Sequence, residues 1–423
     1  MPADPERLAS IFGKECVGTF DAAPTIPLAF GHLPVVFPDS LPAAAEVVRF
    51  AAREGLRILP AGAGEHLGRA TAGGPVDLAL STRRLSGIVE YEPEDMVMIV
   101  QAGATLHEVD SLAQAHAQRL GPDPWPGRSA TVGGAVAGGR DGLSRSSRWR
   151  DVVLGARVVH ADGSLSKTGG KVVKNVAGYD LSKLYVGSRG TLAVLGEINV
   201  KLVARPGESA FVVAVVERSR ARDTLLLVHR SALAPAALLL VAGDVLPDTP
   251  LGPGRVALCA RFEGNAATVR WQVEAMLRTT PGEEWVGERG RVAYEALRRG
   301  LEPRAETVLA RIASLPVEVP AALDCLLEGP AAAWREGASF IGQFGVGRSH
   351  AQLPGLGARD LRLLQARLAA LGARLEVERA AERASLSPSP GTEPVLADLL
   401  TRTKNAFDPE GRFLPLGLGG GAP

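Results

Sequence analysis

Between Pro122 and Gly142 the chain reads PDPWPGRSATVGGAVAGGRDG, where six glycines interspersed with Ala130, Ala135 and Ala137 leave the backbone almost bare. Glycine in a regular element costs on the order of 1 kcal/mol relative to alanine, so such a run packs poorly by itself. Two readings are open: a surface loop, or a segment whose missing side chains let the backbone come close to a flat ligand. The small residues are interleaved with Thr131 and Val132 rather than with serines and charges, which favours the second.

Two further glycine clusters sharpen the constraint. GAGEHLG spans 62–68 and follows the short apolar run RILP. A dinucleotide fingerprint G-x-G-x-x-G demands glycine at 67 and then a helix, whereas the chain has Leu67 followed by RATAGGP. The nicotinamide Rossmann reading fails on residue and on context. What remains is a strand opening into a glycine turn whose amides can converge on an anion. The third cluster runs from KVVKNVAGYDLSKL to GSRGTLAVLGEI, residues 171–198, where lysines and a Gly-x-x-Gly-Thr turn precede a buried strand.

Charge and cysteine content exclude several classes. Lys plus Arg (47) against Asp plus Glu (46) leaves a net charge of +1, with no basic surplus for nucleic acid or an anionic membrane. Cys16, Cys259 and Cys325 are too far apart for a disulfide framework or a CxxC cluster motif. Among seven lysines, Lys167, Lys171, Lys174, Lys183 and Lys201 share one stretch, which is either a solvated face or a site preferring compact ammonium groups. The N-terminal MPADPERLASIFGKECVG is charged and has no apolar h-region, so no signal peptide is expected. No uncharged run is both long enough and free enough of proline to span a bilayer. A cytoplasmic protein is expected, with any membrane association through a partner.

At 423 residues, two or three domains are expected. PDSLPAAAEVVRFAAREGL predicts a helix with Ser40 as N-cap and Gly55 as stop. Strand-like runs follow at 76–81, 86–91 and 96–101, then a helix near 105–119 and strands at 152–160 and 192–202. After Arg205-Pro206, FVVAVVE, ALLLVAG and RVALCARFEG read as strands, with helices between and after them, the grammar of an α+β unit on an antiparallel sheet. The expected division is an N-terminal extension (1–25), a first domain (26–205), a second (206–390), and a C-terminal helix and segment returning to the first domain (391–418).

The order of a G-x-G turn, D-P…ATVGGAVA, RDVVLG, KVVKNVAGYDLSKL and GSRGTLAVLGE resembles the FAD-binding domain of the vanillyl-alcohol-oxidase/p-cresol-methylhydroxylase (PCMH) type. Within that family KVVKNVAGYDLSKL is most similar to the FAD-binding E subunit of glycolate oxidase complexes, and the likeness covers roughly 38–205 with an echo at NAFDPEGRFLP. The resemblance implies an α+β fold, a two-subdomain PCMH-type FAD-binding domain plus a cap domain with an antiparallel sheet. It implies FAD as the cofactor, with non-covalent binding expected from the position of His66. By position, Ala61, Gly62, Ala63, Gly64 and Glu65 fall on the loop that binds the pyrophosphate. Asp123, Ala130, Thr131, Gly133, Gly134, Ala137 and Gly138 fall on the loop running along the ribityl chain and pyrophosphate. Gly190, Thr191, Val194 and Glu197 fall at the adenine end, and Asp151, Lys174, Tyr179 and Asp180 match further family motifs.

Three departures stand out. Ala63 replaces a usual glycine, Ala61 a usual Gly or Arg, and the common terminal N-P-G reads Leu414-Pro415-Leu416. Some relatives tether the flavin through a histidine of the first loop, but His66 lies one place beyond that position, which aims its ring elsewhere. Oxidising a 2-hydroxy acid needs a base and a carboxylate-binding cation beside the flavin. Of seven histidines only His229 and His350 follow residue 205, with no H-x-x-H or H-x-x-x-H pair in that half, so no metal site is expected. Arg348 and His350 in GQFGVGRSH are weak catalytic candidates. The expected function is the FAD-binding subunit of a glycolate oxidase-like complex, oxidising a 2-hydroxy acid alongside a catalytic FAD subunit and an iron–sulfur subunit. Alternatives are a self-sufficient FAD dehydrogenase or oxidase of another substrate, and a non-catalytic assembly subunit without flavin.

Overall fold

The computed structural model describes residues 3–19, 33–65, 67, 76–123, 129–145, 147–171, 179–249, 251–252, 254–280, 282–302, 304, 307–329, 334, 336–379 and 394–414. The chain divides into two compact units: Met1–Gly142, Ser147–Arg205 and Thr392–Leu418 form one, and Leu143–Ser146, Pro206–Gly391 and Gly419–Pro423 the other.

In the first unit the elements run α1 (Pro5–Phe12), β1 (Val17–Gly18), β2 (Val35–Val36), α2 (Leu41–Glu54), β3 (Ile58–Ala61), β4 (Leu78–Ser81), β5 (Ile88–Glu92), β6 (Val97–Gln101), α3 (Leu106–Gln114), β7 (Gln118–Leu120), α4 (Val132–Gly138), α5 (Trp149–Val152), β8 (Val153–Val159), β9 (Leu165–Gly169), α6 (Ser182–Tyr185) and β10 (Val194–Ala204). Among the described residues β1-β2-β4-β3 form one sheet, parallel between β2, β4 and β3. A second, antiparallel sheet runs β5-β6-β10-β8-β9, with β7 also on β10. This is a two-subdomain α+β architecture. The α2 helix forms where the sequence predicts it. Ser40 caps Ala43 N at 3.3 Å, Gly55 ends the helix in the left-handed region, and Ala44, Val47, Val48 and Ala51 are buried on one face.

Two elements differ from expectation. The helix expected over 105–119 stops at Gln114, because Ala117 takes φ 53° and Gln118–Leu120 instead pairs with β10. The glycine-rich run, read as a segment whose bare backbone comes close to a flat ligand, contains α4. Thr131 caps it through Gly134 N at 3.1 Å, left-handed Gly139 ends it, and Val132, Gly133, Ala135 and Val136 are buried. Burial overrides the poor helix propensity of three glycines in seven residues. Absent side chains are what let α4 sit so low: a Cβ on Gly133 would lie 2.8 Å from the Ala102 carbonyl oxygen.

The second unit runs β11 (Glu208–Glu217), α7 (Ala221–Arg230), β12 (Ala237–Ala242), β13 (Arg255–Gly264), α8 (Ala266–Thr279), β14 (Glu283–Trp285), α9 (Gly287–Arg299), β15 (Thr307–Ala313), α10 (Val319–Leu327), β16 (Ser339–Gln343), β17 (Arg348–Pro354), α11 (Ala358–Ala370) and β18 (Arg374–Arg379). Among the described residues its antiparallel sheet has the order β14-β11-β13-β12-β16-β17-β15-β18. Leu225, Val273, Leu323 and Leu364 from α7, α8, α10 and α11 pack on the alternate strand residues Val212, Leu240, Leu258 and Ala351. The opposite face carries α9, whose Tyr294 meets Phe211 edge-on at 5.9 Å with Arg261 4.2 Å above its ring. The chain returns to the first unit with α12 (Pro394–Phe407). Among the described residues no helix is long and apolar enough to cross a membrane.

Candidate functional site

In the first unit the ends of β3 and β4, the α4 segment and the turn before β10 surround an open cleft. The first wall grows out of β3, which pairs in parallel with β4 and delivers Ala61 to the turn Gly62–Glu65. The hydroxyls of Ser81 and Thr82 donate to the carbonyls of Gly62 and Ala61 at 3.0 and 3.3 Å, anchoring the turn by its carbonyl side. Gly62 meets the second wall at Thr131, where a Cβ would come within 2.2 Å of the threonine Oγ1. Nearer the rim, the Ser129 hydroxyl donates to the Glu65 carboxylate and joins the same two walls.

The third wall rests on α4. Gly187 N donates to Val136 O at 2.9 Å and Arg189 N to Ala137 O at 2.8 Å. Arg189 and Gly190 both take the left-handed conformation, φ 58° and 72°, and a Cβ on Gly190 would sit 3.1 Å from Pro60 of β3. Thr191 behind this turn is held from the C-terminal helix: Lys404 Nζ donates to its carbonyl at 2.7 Å. Burial pulls the Lys404 ammonium below the ordinary lysine range, and its hydrogen bond to Asp408 opposes that shift.

Of the residues singled out in the sequence, Ala61, Gly62, Ala63, Gly64, Glu65, Thr131, Gly133, Gly134, Ala137, Gly138, Gly190 and Val194 line the cleft. The others lie elsewhere. Ala130 is fully buried and its carbonyl accepts from Leu106 N. Asp123 is buried, and a Cβ on Gly142 would lie 1.6 Å from its carbonyl oxygen. Thr191 is buried behind the wall, Glu197 pairs with Arg157 at 2.8 Å, Asp151 is exposed in the first turn of α5, and Tyr179 is 95% exposed. Lys174 and the His66 of the tethering argument fall outside the described residues.

Among the described residues the cations that line the cleft are arginines. Arg140, just past α4, and Arg189 line it, whereas Lys171 pairs with Glu90 and Glu92 and Lys183 donates to Val153 O. Neither arginine was singled out in the sequence. The signal was present in the ratio of seven lysines to forty arginines, which makes arginine the default cation of this chain, and in the glycines flanking both residues.

Leu414, in the place of the family's asparagine, is 3% exposed and packs with Leu59, Ala61 and Leu67. The departure is a packing substitution that supports the first turn from beneath. Arg348 and His350 belong to the second unit. They stand two residues apart on β17, on the face opposite core residues Ala351 and Leu353, and His350 lies buried in register between Ile341 and Arg311.

The donor set fits a long dinucleotide. Side-chain-free backbone at Gly62, Gly133 and Gly190 lets the elements of the cleft close on one another, Arg140 and Arg189 are the cation type that suits a diphosphate, and Ala137, Ala193, Val194 and Leu195 line the cleft with apolar residues. Comparison with known proteins agrees. Residues 33–169 match the FAD binding domain family. The chain is 42% identical over 225 residues to glycolate oxidase subunit GlcE of Escherichia coli, covering 52% of this chain and 58% of that one. It is 30% identical to glycolate oxidase subunit GlcD of Bacillus subtilis, covering 55% and 50%, and 30% identical to D-lactate dehydrogenase of Archaeoglobus fulgidus, covering 46% and 45%. The matched region thus spans about half the length of these curated relatives. In fold it is similar to a xylooligosaccharide oxidase from Myceliophthora thermophila (TM-score 0.67, 15% identity, 90% of each chain). It is likewise similar to a 4-ethylphenol oxidase from Gulosibacter chungangensis (TM-score 0.68, 14% identity, 96% and 94%).

Proposed function

We propose, from the premise that residues 33–169 are an FAD binding domain and FAD its cofactor, that this chain is the flavin-binding subunit of an oxidoreductase complex acting on 2-hydroxy acids such as glycolate. The observation that carries the reading is the cleft itself, in which two glycine-bearing walls and Arg140 of the matched domain meet a third wall, with Arg189 and Gly190, that follows it in the chain. Bound there, FAD supplies a two-electron acceptor. Arg140 and Arg189 would hold its diphosphate, the Gly62–Gly64 and Thr131–Gly138 walls would flank it, and attachment would be non-covalent.

The chain's contribution is the flavin site rather than the substrate base. His350 is buried within a sheet row, and among the described residues no group of three His, Cys, Asp or Glu is placed to hold a metal. The likeness to GlcE and GlcD supports a partnership with a separate catalytic flavoprotein. An iron–sulfur subunit completes the proposed complex, because the three scattered cysteines of this chain make no cluster motif.

The test is anaerobic addition of glycolate and D-lactate to the FAD-loaded chain, alone and with its catalytic partner. Bleaching of the visible flavin bands that requires the partner is the expected result. An assembled complex left unbleached by every 2-hydroxy acid tried would remove the substrate class.

A further inference from the structure

Lys404 lines no part of the cleft, yet its ammonium bonds the residue behind the third wall and the segment that flanks β3, the strand of the first. Nζ donates to Thr191 O at 2.7 Å, to Phe413 O at 3.3 Å and to the Asp408 carboxylate, so its three donors meet three acceptors. Asp408, itself 1% exposed, accepts from Arg412 N at 2.7 Å and from Phe413 N at 2.8 Å. The segment fixed in this way runs on to β3: Ile58 N donates to Arg412 O at 2.7 Å, and Ile58 and Phe413 form a parallel bridge.

Two residues beyond Ile58, at Pro60, β3 becomes the first wall of the cleft; one residue before Thr191 lies Gly190 of the third. A Cβ on Gly190 would come within 3.1 Å of the Pro60 ring, so the two walls approach closely at this point. A single buried lysine therefore ties the third wall to the strand that carries the first. The lysine is chemically specific. A methionine would leave two carbonyls and a carboxylate buried without their donor, and a guanidinium is a planar fork where a compact three-donor group is used.

We infer that Lys404 is a positioning residue for the cleft, setting with Asp408 the separation of its first and third walls, so that FAD affinity depends on a side chain that touches no FAD. The inference rests on the cleft being the FAD site.

The experiment measures FAD affinity of the full-length apo chain by flavin fluorescence for the wild type, Lys404→Met, Asp408→Asn and the double variant, with thermal melts of each apo protein. The expected result is a loss of about tenfold to hundredfold in affinity for Lys404→Met in protein that is still folded at the assay temperature. The double variant should lose less than the product of the single losses, because the two residues act as one unit. A residue that only stabilises the fold would lower the melting temperature and leave the affinity of the folded protein unchanged.

Hydrogen exchange on the wild type gives an independent reading that needs no variant: FAD should slow exchange across 404–413 as well as at the cleft walls. A folded Lys404→Met with wild-type affinity, or no FAD effect on 404–413, overturns the coupling while leaving the FAD site intact. A wild type that binds no FAD overturns both.

Discussion

Gly62 and Thr131 approach so closely that a Cβ on the glycine would lie 2.2 Å from the threonine Oγ1. The same hydroxyl oxygen accepts from Gly134 N and so starts α4. One atom thus sets both the spacing of two cleft walls and the beginning of the glycine-rich helix. Gly62→Ala should push these walls apart and weaken FAD binding about tenfold or more. The melting temperature of the apo protein should fall only slightly, and titration calorimetry of the folded variant reads the difference.

Arg140 and Arg189 place the positive charge of the cleft. Replacing either with alanine should weaken FAD binding about tenfold, with riboflavin, which lacks the diphosphate, affected much less. Affinity for FAD should also depend less on salt in each variant, because a screened attraction has been removed. Equal losses for FAD and riboflavin would place the arginines elsewhere along the ligand.

The turn between β8 and β9 supplies a pH-dependent contribution. Asp162 Oδ1 accepts from Ser164 N at 2.8 Å, and hydrogen bonding from Ser164 holds the carboxyl below its ordinary value of 3.8. A depressed carboxyl stabilises the fold above the unfolded value and loses that contribution as pH falls through the folded one. Asp162→Ala should therefore be less stable than wild type at neutral pH, by under about 1 kcal/mol for so exposed a group. The two melting curves should converge in acid, and a constant offset from neutral pH to acid would contradict the assignment.

Thiol labelling checks the core of the second unit. Cys259 on β13 is fully buried and burial pushes its thiol well up, while Cys325 is half-buried with a thiol raised less far and Cys16 is partly exposed. Iodoacetamide should modify Cys16 first and Cys325 more slowly in the native protein, and should reach Cys259 only on unfolding.

Much of the cleft was legible because its walls are written in short glycine motifs, and backbone approach needs the same residue wherever it occurs. What the sequence hid has physical causes. The α4 helix contradicts the propensity of VGGAVAG, and only the burial of Val132, Ala135 and Val136 makes it helical. Its brackets, Thr131 before and Gly139 after, were the readable signal. Leu414 stood out only as a departure from N-P-G because its apolar neighbours Leu59 and Leu67 are distant in sequence. The lysine cluster drew attention from arginines that blend into the composition, and Lys404, isolated 203 positions after Lys201, gave no motif at all.

The central claim is that the first unit binds FAD without a covalent bond. Titrating the purified apo chain with FAD, removing free flavin and recording the visible spectrum before and after acid precipitation tests it directly. The account predicts one FAD per chain, with the flavin bands passing wholly to the supernatant. A chain that stays colourless at saturating FAD, or a flavin that remains with the precipitate, would contradict it.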